Sequence, residues 1–182
     1  MEVDTDVVRL INTGLDDKGL CELCEALSTR TQLTRLYISD NPIGVDGIKA
    51  LVKMMENYIT PERLYLGRCA FGDEGAKMVL ESLSNSTKVT HLYLGGNALS
   101  DNIASVVFRF LIRNKSLVQL GLGKNLFTDT GLSVIAPSLK INNTLRQLSF
   151  QHNPFSQVGF KVLHQYLAHN SSIEELMLGQ WD

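Results

Sequence analysis

The stretch LVQLGLGKNLF, residues 117–127, places leucine at 117, 120 and 122, asparagine at 125 and phenylalanine at 127. Leu120 and Leu122 are two residues apart, so they share one face of a β-strand while Gln119 and Gly121 share the other. Stepping outward from this stretch by 28 residues in either direction recovers the same spacing with no insertion. One column reads Val8, Leu36, Leu64, Leu92, Leu120, Leu148, Leu176, and the column two residues on reads Leu10, Ile38, Leu66, Leu94, Leu122, Phe150, Leu178. Three residues later comes Thr13, Asn41, Cys69, Asn97, Asn125, Asn153, followed by the apolar column Leu15, Ile43, Phe71, Leu99, Phe127, Phe155. A fixed period of this length marks stacked repeats, and these run over 5–32, 33–60, 61–88, 89–116, 117–144, 145–172 and a partial 173–182. One repeat domain is expected across residues 1–182.

The second half of each repeat has helical spacing, as in Ile48, Leu51, Val52 and Met55, or Leu132, Ile135, Ala136 and Leu139. Asp17, Asp73, Asp101 and Asp129 occupy one column and are expected to be the N-caps of these helices. Gly19, Gly47, Gly75, Gly131 and Gly159 follow two residues later, with Ile103 interrupting them. The asparagine after each strand can accept from and donate to loop backbone groups that have no ladder partner, and Cys69 replaces one such rung. A single repeat buries too little apolar area to offset the entropy of ordering itself, so stability belongs to the stack.

The pattern L-x-x-L-x-L-x-x-N/C-x-L resembles the leucine-rich repeat family, and the 28-residue length with a helical second half is similar to its ribonuclease-inhibitor-like subclass. The resemblance implies an α/β right-handed solenoid, a partial horseshoe. Six or seven short parallel strands would line its concave face and five full helices its convex face. It also implies a non-enzymatic protein–protein interaction module that reads its partner through the concave face. Alternatives are a regulator of small GTPases of the activating type, or a ligand-sensing segment of a larger immune, cytoskeletal or microbial effector protein.

The strand positions that alternate with the buried leucines must face the concave opening. One such column is Arg9, Tyr37, Tyr65, Tyr93, Gly121, Ser149, Met177, and its neighbour is Val7, Arg35, Arg63, His91, Gln119, Gln147, Glu175. With strands about 4.8 Å apart, Tyr37, Tyr65 and Tyr93 would form a ladder of rings beside Arg35, Arg63 and His91. Tyr and Arg are common interface anchors. Ser39, Gly67, Gly95, Gly123, Gln151 and Gly179 come next, leaving floor exposed to a partner. Arg68, Lys124 and His152 lie in the adjoining column and would extend the contact. The competing reading is that the tyrosines only cover the sheet while the arginines neutralise Glu62 and Asp40.

Other signals have bland explanations. Cys21 and Cys24 sit three apart among Leu20, Leu23 and Leu27, with no second pair to complete a metal set, so packing is expected. His91, His152, His164 and His169 fall in different columns and form no ligand or triad spacing, so no catalytic site, metal or cofactor is expected. Asn85, Asn114, Asn142 and Asn170 begin glycosylation sequons. Three of them share a column at the helix ends, where a left-handed C-cap explains them better.

At 182 residues, 44% hydrophobic, with a net charge of -2 and no Lys/Arg run, the sequence points away from a dedicated nucleic-acid or membrane surface. Three cysteines are too few for a disulfide framework, and Met1–Leu10 lacks the apolar core of a leader, so a cytoplasmic location is expected. The terminal repeats depart little from the pattern. Their open ends are therefore expected to be covered by self-association, by a small cap around Trp181, or by further repeats of a longer protein.

Overall fold

The structure is a computed structural model and describes residues 6–179. It contains a seven-stranded parallel sheet in sequence order, β1 (Val7–Arg9), β2 (Arg35–Tyr37), β3 (Arg63–Tyr65), β4 (His91–Tyr93), β5 (Gln119–Gly121), β6 (Gln147–Ser149) and β7 (Glu175–Met177). The helices are α1 (Asp17–Ser28), α2 (Val45–Asn57), α3 (Gly72–Leu83), α4 (Ala104–Arg113), α5 (Asp129–Ile135) and α6 (Gln157–Leu167), each packed on the next. This is an α/β open solenoid, with six α-helices among the described residues where five were expected. Short 3-10 turns over Asp101–Ile103 and Ala136–Lys140 begin the helical half of one repeat and end that of the next.

Register follows the period. Leu36 pairs with Leu64, Leu64 with Leu92 and Leu92 with Leu120, so equivalent residues stack on one another. The columns beginning at Leu36, Ile38 and Ile43 point inward and are buried from β2 to β6. They meet Ile48, Ala76, Ala104 and Leu132 from the helices, forming one continuous core. At about 1.5–3 kcal/mol for each fully buried large aliphatic side chain, this core supplies the main folding drive.

Where the strands end, the asparagines bind two repeats at once. Asn125 Oδ1 accepts from the backbone N–H groups of Asn97 (2.9 Å) and Leu99 (3.1 Å). Its Nδ2 donates to the Leu94 and Leu122 carbonyls at 3.2 and 3.0 Å. Asn41, Asn97 and Asn153 repeat the arrangement. At the substituted rung, Cys69 Sγ lies 3.6 Å from the Ile38 carbonyl oxygen, a longer and weaker contact.

Two expectations about the polar columns need correction. The aspartate column does not supply the N-caps of its own helices: the caps are Asp16, Ser100, Thr128 and Ser156, each accepting from a nearby backbone N–H. Asp17, Asp101 and Asp129 sit one residue inside, Asp73 lies within α3, and all four reach forward into the following repeat. Asp129 accepts from the Ser156 N–H and hydroxyl, both at 2.7 Å, and from the Gly159 N–H at 2.9 Å. This explains Gly47, Gly131 and Gly159 of the glycine column, because a Cβ at Gly159 would sit 2.6 Å from Asp129 Oδ1; Gly75 is crowded by Phe71 instead. Ile103 breaks that column, and its repeat opens as a 3-10 turn instead.

The helix-end asparagines are not left-handed C-caps either. Asn114 is extended, at φ -68 and ψ 130, and with Asn142 and Asn170 it builds a second amide ladder. Asn114 donates to the Leu83 carbonyl of the previous repeat at 2.9 Å and accepts from its own repeat's Ser116 and Leu117 N–H groups. Asn142 and Asn170 repeat this on Leu111 and Leu139. Asn114 and Asn142 are buried, a placement incompatible with attached glycan in the folded state. Trp181 lies outside the described residues.

Replacing Asn125 with Ala strands several buried backbone groups and should cost roughly 3 kcal/mol in denaturant unfolding. Restoring the rung with Cys69→Asn should gain about 1 kcal/mol. Hydrogen bonds from Ser156 hold the Asp129 carboxyl below its usual value, so its contribution is present above about pH 3.9 and fades as pH falls through the lower folded value. In thermal melts between about pH 5 and 2, Asp129→Asn should flatten that part of the acid sensitivity.

Candidate functional site

Because equivalent residues stack, Tyr37, Tyr65 and Tyr93 are brought face to face on β2, β3 and β4. Ring centroids are 4.3 Å apart for Tyr37–Tyr65, at 17° between planes, and 4.5 Å for Tyr65–Tyr93, at 11°. The Arg9 guanidinium caps the first ring, 4.1 Å from the Tyr37 centroid. Arg9 was visible in the same sequence column but was not among the candidate site residues, because a cation over a ring face cannot be read from spacing. At the other end, the Tyr93 hydroxyl donates to Gln119, whose amide donates in turn to Gln147. Burial, followed by the neighbouring phenol, pushes the Tyr65 and Tyr93 hydroxyls above their ordinary value.

Arg35, Arg63 and His91 form the adjoining row, directly paired across β2, β3 and β4. Neither Arg35 nor Arg63 is in an ion pair among the described residues, and Arg35 Nε is buried without a hydrogen-bond partner. Two like charges side by side on a sheet repel, and a buried guanidinium N–H without an acceptor costs desolvation energy. His91 Nδ1 lies 2.8 Å from Thr90 Oγ1. Burial, then Arg63 and Arg35, hold its imidazole below its ordinary pKa.

Arg68 does what the competing reading assigned to the arginines. Its Nε and Nη2 both donate to the Asp40 carboxylate, the latter at 2.7 Å. Arg68, Lys124 and His152 are not on the strands. With Asp40 they occupy the turn directly after each strand, in the left-handed backbone region at φ 52, 55, 57 and 61 respectively. Gly96 fills that column at φ 73. The flat glycine column has a structural cause as well: a Cβ at Gly95 would approach the Gly123 carbonyl oxygen to 2.9 Å. Together these residues border a groove of ≈ 310 Å³ that runs from Tyr93 to Met177, with Gly67, Gly95 and Gly123 along it.

The remaining candidate chemistry is inert. Burial, then Cys21, pushes the Cys24 thiol up to about 12, and burial pushes Cys69 to about 11, far from the thiolate form that nucleophiles and metal ligands need. No group of three or more His, Cys, Asp or Glu able to hold a metal occurs among the described residues, and none of the described helices is long and apolar enough to cross a membrane.

Residues 31–52, 62–80 and 85–108 match the Leucine Rich repeat family. The sheet and its registered columns continue the same 28-residue repeat through the described residues on either side of these matches. Its fold is similar to that of a solved structure titled Leiomodin-1 Actin-Binding Site 2, at 22% identity and a TM-score of 0.64 over 75% of this chain and 79% of that one. It is also similar to the tropomodulin C-terminal domain of Caenorhabditis elegans, at 13% identity and a TM-score of 0.61 over 74% and 84%. No curated protein matches the sequence.

By NMR, the His91 imidazole should titrate below about 6.5, and Arg63→Gln should move it upward. Burial remains in that variant, so the recovery should be partial.

Proposed function

We propose that this chain is a non-enzymatic, cytoplasmic protein-binding module whose partner docks on the concave face of β2–β5. The observation that carries this reading is the ring column Arg9–Tyr37–Tyr65–Tyr93 lying beside Arg35 and Arg63, which form no ion pair among the described residues. The stacked rings are rigid and lose little side-chain entropy on contact, so they suit the centre of an interface. Arg35 and Arg63 provide charge-assisted donors for a partner's acidic groups, His91 extends their row on β4, and Arg68, Lys124 and His152 extend the contact along the strand exits. Binding requires no chemistry beyond docking.

Support also comes from the similar solved structure of leiomodin-1, which is its actin-binding site 2 on the same architecture. Actin is therefore the first partner to test, by co-sedimentation with filaments and by gel filtration with monomer. Affinity capture from cell extract should recover a reproducible partner with the parent chain and lose it with Tyr37→Ala/Tyr65→Ala/Tyr93→Ala. If that triple variant keeps its circular dichroism spectrum and still captures the same partner, the docking site is elsewhere. A GTP-turnover assay separates this reading from the GTPase-regulatory alternative, since a docking module leaves the rate unchanged.

A further inference from the structure

The ring column stops abruptly. Tyr93 pairs in register with Gly121, so the face of Tyr93 opposite Tyr65 meets no ring from β5. The place where a fourth ring would stand is partly taken by Tyr93 leaning over, with its Cδ1 2.7 Å from where a Gly121 Cβ would be. Beyond Gly121 the same column continues with Ser149, which is small, and Met177, which is flexible and apolar. Tyr93, Gly121, Ser149 and Met177 all border the ≈ 310 Å³ groove described above. That volume is at the lower end of ligand pockets, roughly 300–1,000 Å³, and holds about one large side chain.

The charge around the slot selects further. Arg9, Arg35, Arg63 and Lys124 face or border the concave side without an ion-pair partner among the described residues, while Asp40 is occupied by Arg68. Asp16, Asp17, Glu22, Glu25 and Asp46 are on or beside the helices, and Glu175 on β7 is the acid that shares the concave row with Arg35 and Arg63. Lys124 on the rim of the groove, with Arg63 and Arg35 two and three strands away on the same face, is complementary to an anionic segment that extends beyond the slot.

We infer that the slot beside Tyr93 and above Gly121 takes an aromatic side chain from an acidic segment of the protein partner. The partner's ring continues the stack by one member, and its flanking carboxylates pair with Arg63, Arg35 and Lys124. This rests on the docking reading above and adds the chemistry of the occupant.

The test uses labelled peptides built on Glu-Glu-Trp-Glu-Glu, the same peptide with Ala for Trp, and the same with Gln for every Glu, followed by fluorescence anisotropy on the full chain. The acidic Trp peptide should bind best. Ala for Trp should weaken binding roughly three- to tenfold, the range for loss of one stacked ring. Gln for Glu should weaken it at low salt, with the difference vanishing near about 0.5 M salt. Gly121→Tyr, which fills the slot with the chain's own ring, should remove the preference for Trp over Ala, and Arg63→Gln should reduce the salt dependence without removing that preference.

Failure of the acidic Trp peptide to bind, equal binding of the Trp and Ala peptides, or an unchanged preference in folded Gly121→Tyr overturns the inference. If this happens while the triple tyrosine variant still loses the captured partner, docking on the concave face stands and only the named occupant is wrong. Retention of the partner by the triple variant instead removes the docking reading itself.

Discussion

Most rungs of this solenoid hang on an amide that serves two repeats, with Cys69 standing in at one of them. Asn41, Asn97, Asn125 and Asn153 each satisfy backbone groups at the exits of consecutive strands, where the chain leaves the ladder and has no other partner. Burying those groups unpaired would cost roughly 1–3 kcal/mol each. Because each amide must meet the same atoms one repeat away, it fixes the period, and the period fixes the register. The aspartates at the helix starts and the second asparagine series at the helix ends make the same kind of forward and backward bonds. Three polar ladders therefore tie three corners of each coil to its neighbour while leucine fills the space between.

Strict register has a consequence for the concave face, since equivalent residues are forced to stand side by side. For tyrosine this is favourable, and the stacked rings contribute of order 0.5–1.5 kcal/mol per pair beyond their burial. For arginine it is unfavourable, yet Arg35 and Arg63 are placed together and form no ion pair among the described residues. Stability alone does not account for that row. Under the proposed docking on the concave face, an anionic partner would relieve this repulsion, in line with the expectation that local rule-breaking marks function.

Much of this was legible in the sequence, for identifiable reasons. Burial and strand order follow from Leu36, Leu64, Leu92 and their equivalents because a period-two pattern inside a 28-residue period leaves one arrangement that seals the core. The Tyr37–Tyr65–Tyr93 ladder followed from the same arithmetic. What could not be read was the direction of polar side chains. Asp129 looked like a cap for its own helix but reaches Ser156 in the next repeat, a choice made by tertiary geometry. Asn114 looked like a left-handed cap but is extended, because the buried Leu83 carbonyl offers its amide a partner. Arg9 over Tyr37 likewise depends on a rotamer that no spacing encodes, whereas Arg68 on Asp40 was one of the two readings the sequence left open.

The central claim is that partners read the strand face of this solenoid and not its helices. A photo-crosslinking amino acid at residue 65, compared in the same cells with one at the exposed helix position Lys53, tests it most directly. The account predicts a discrete crosslinked adduct from position 65 and none from position 53. An adduct from position 53 with none from position 65 would contradict it.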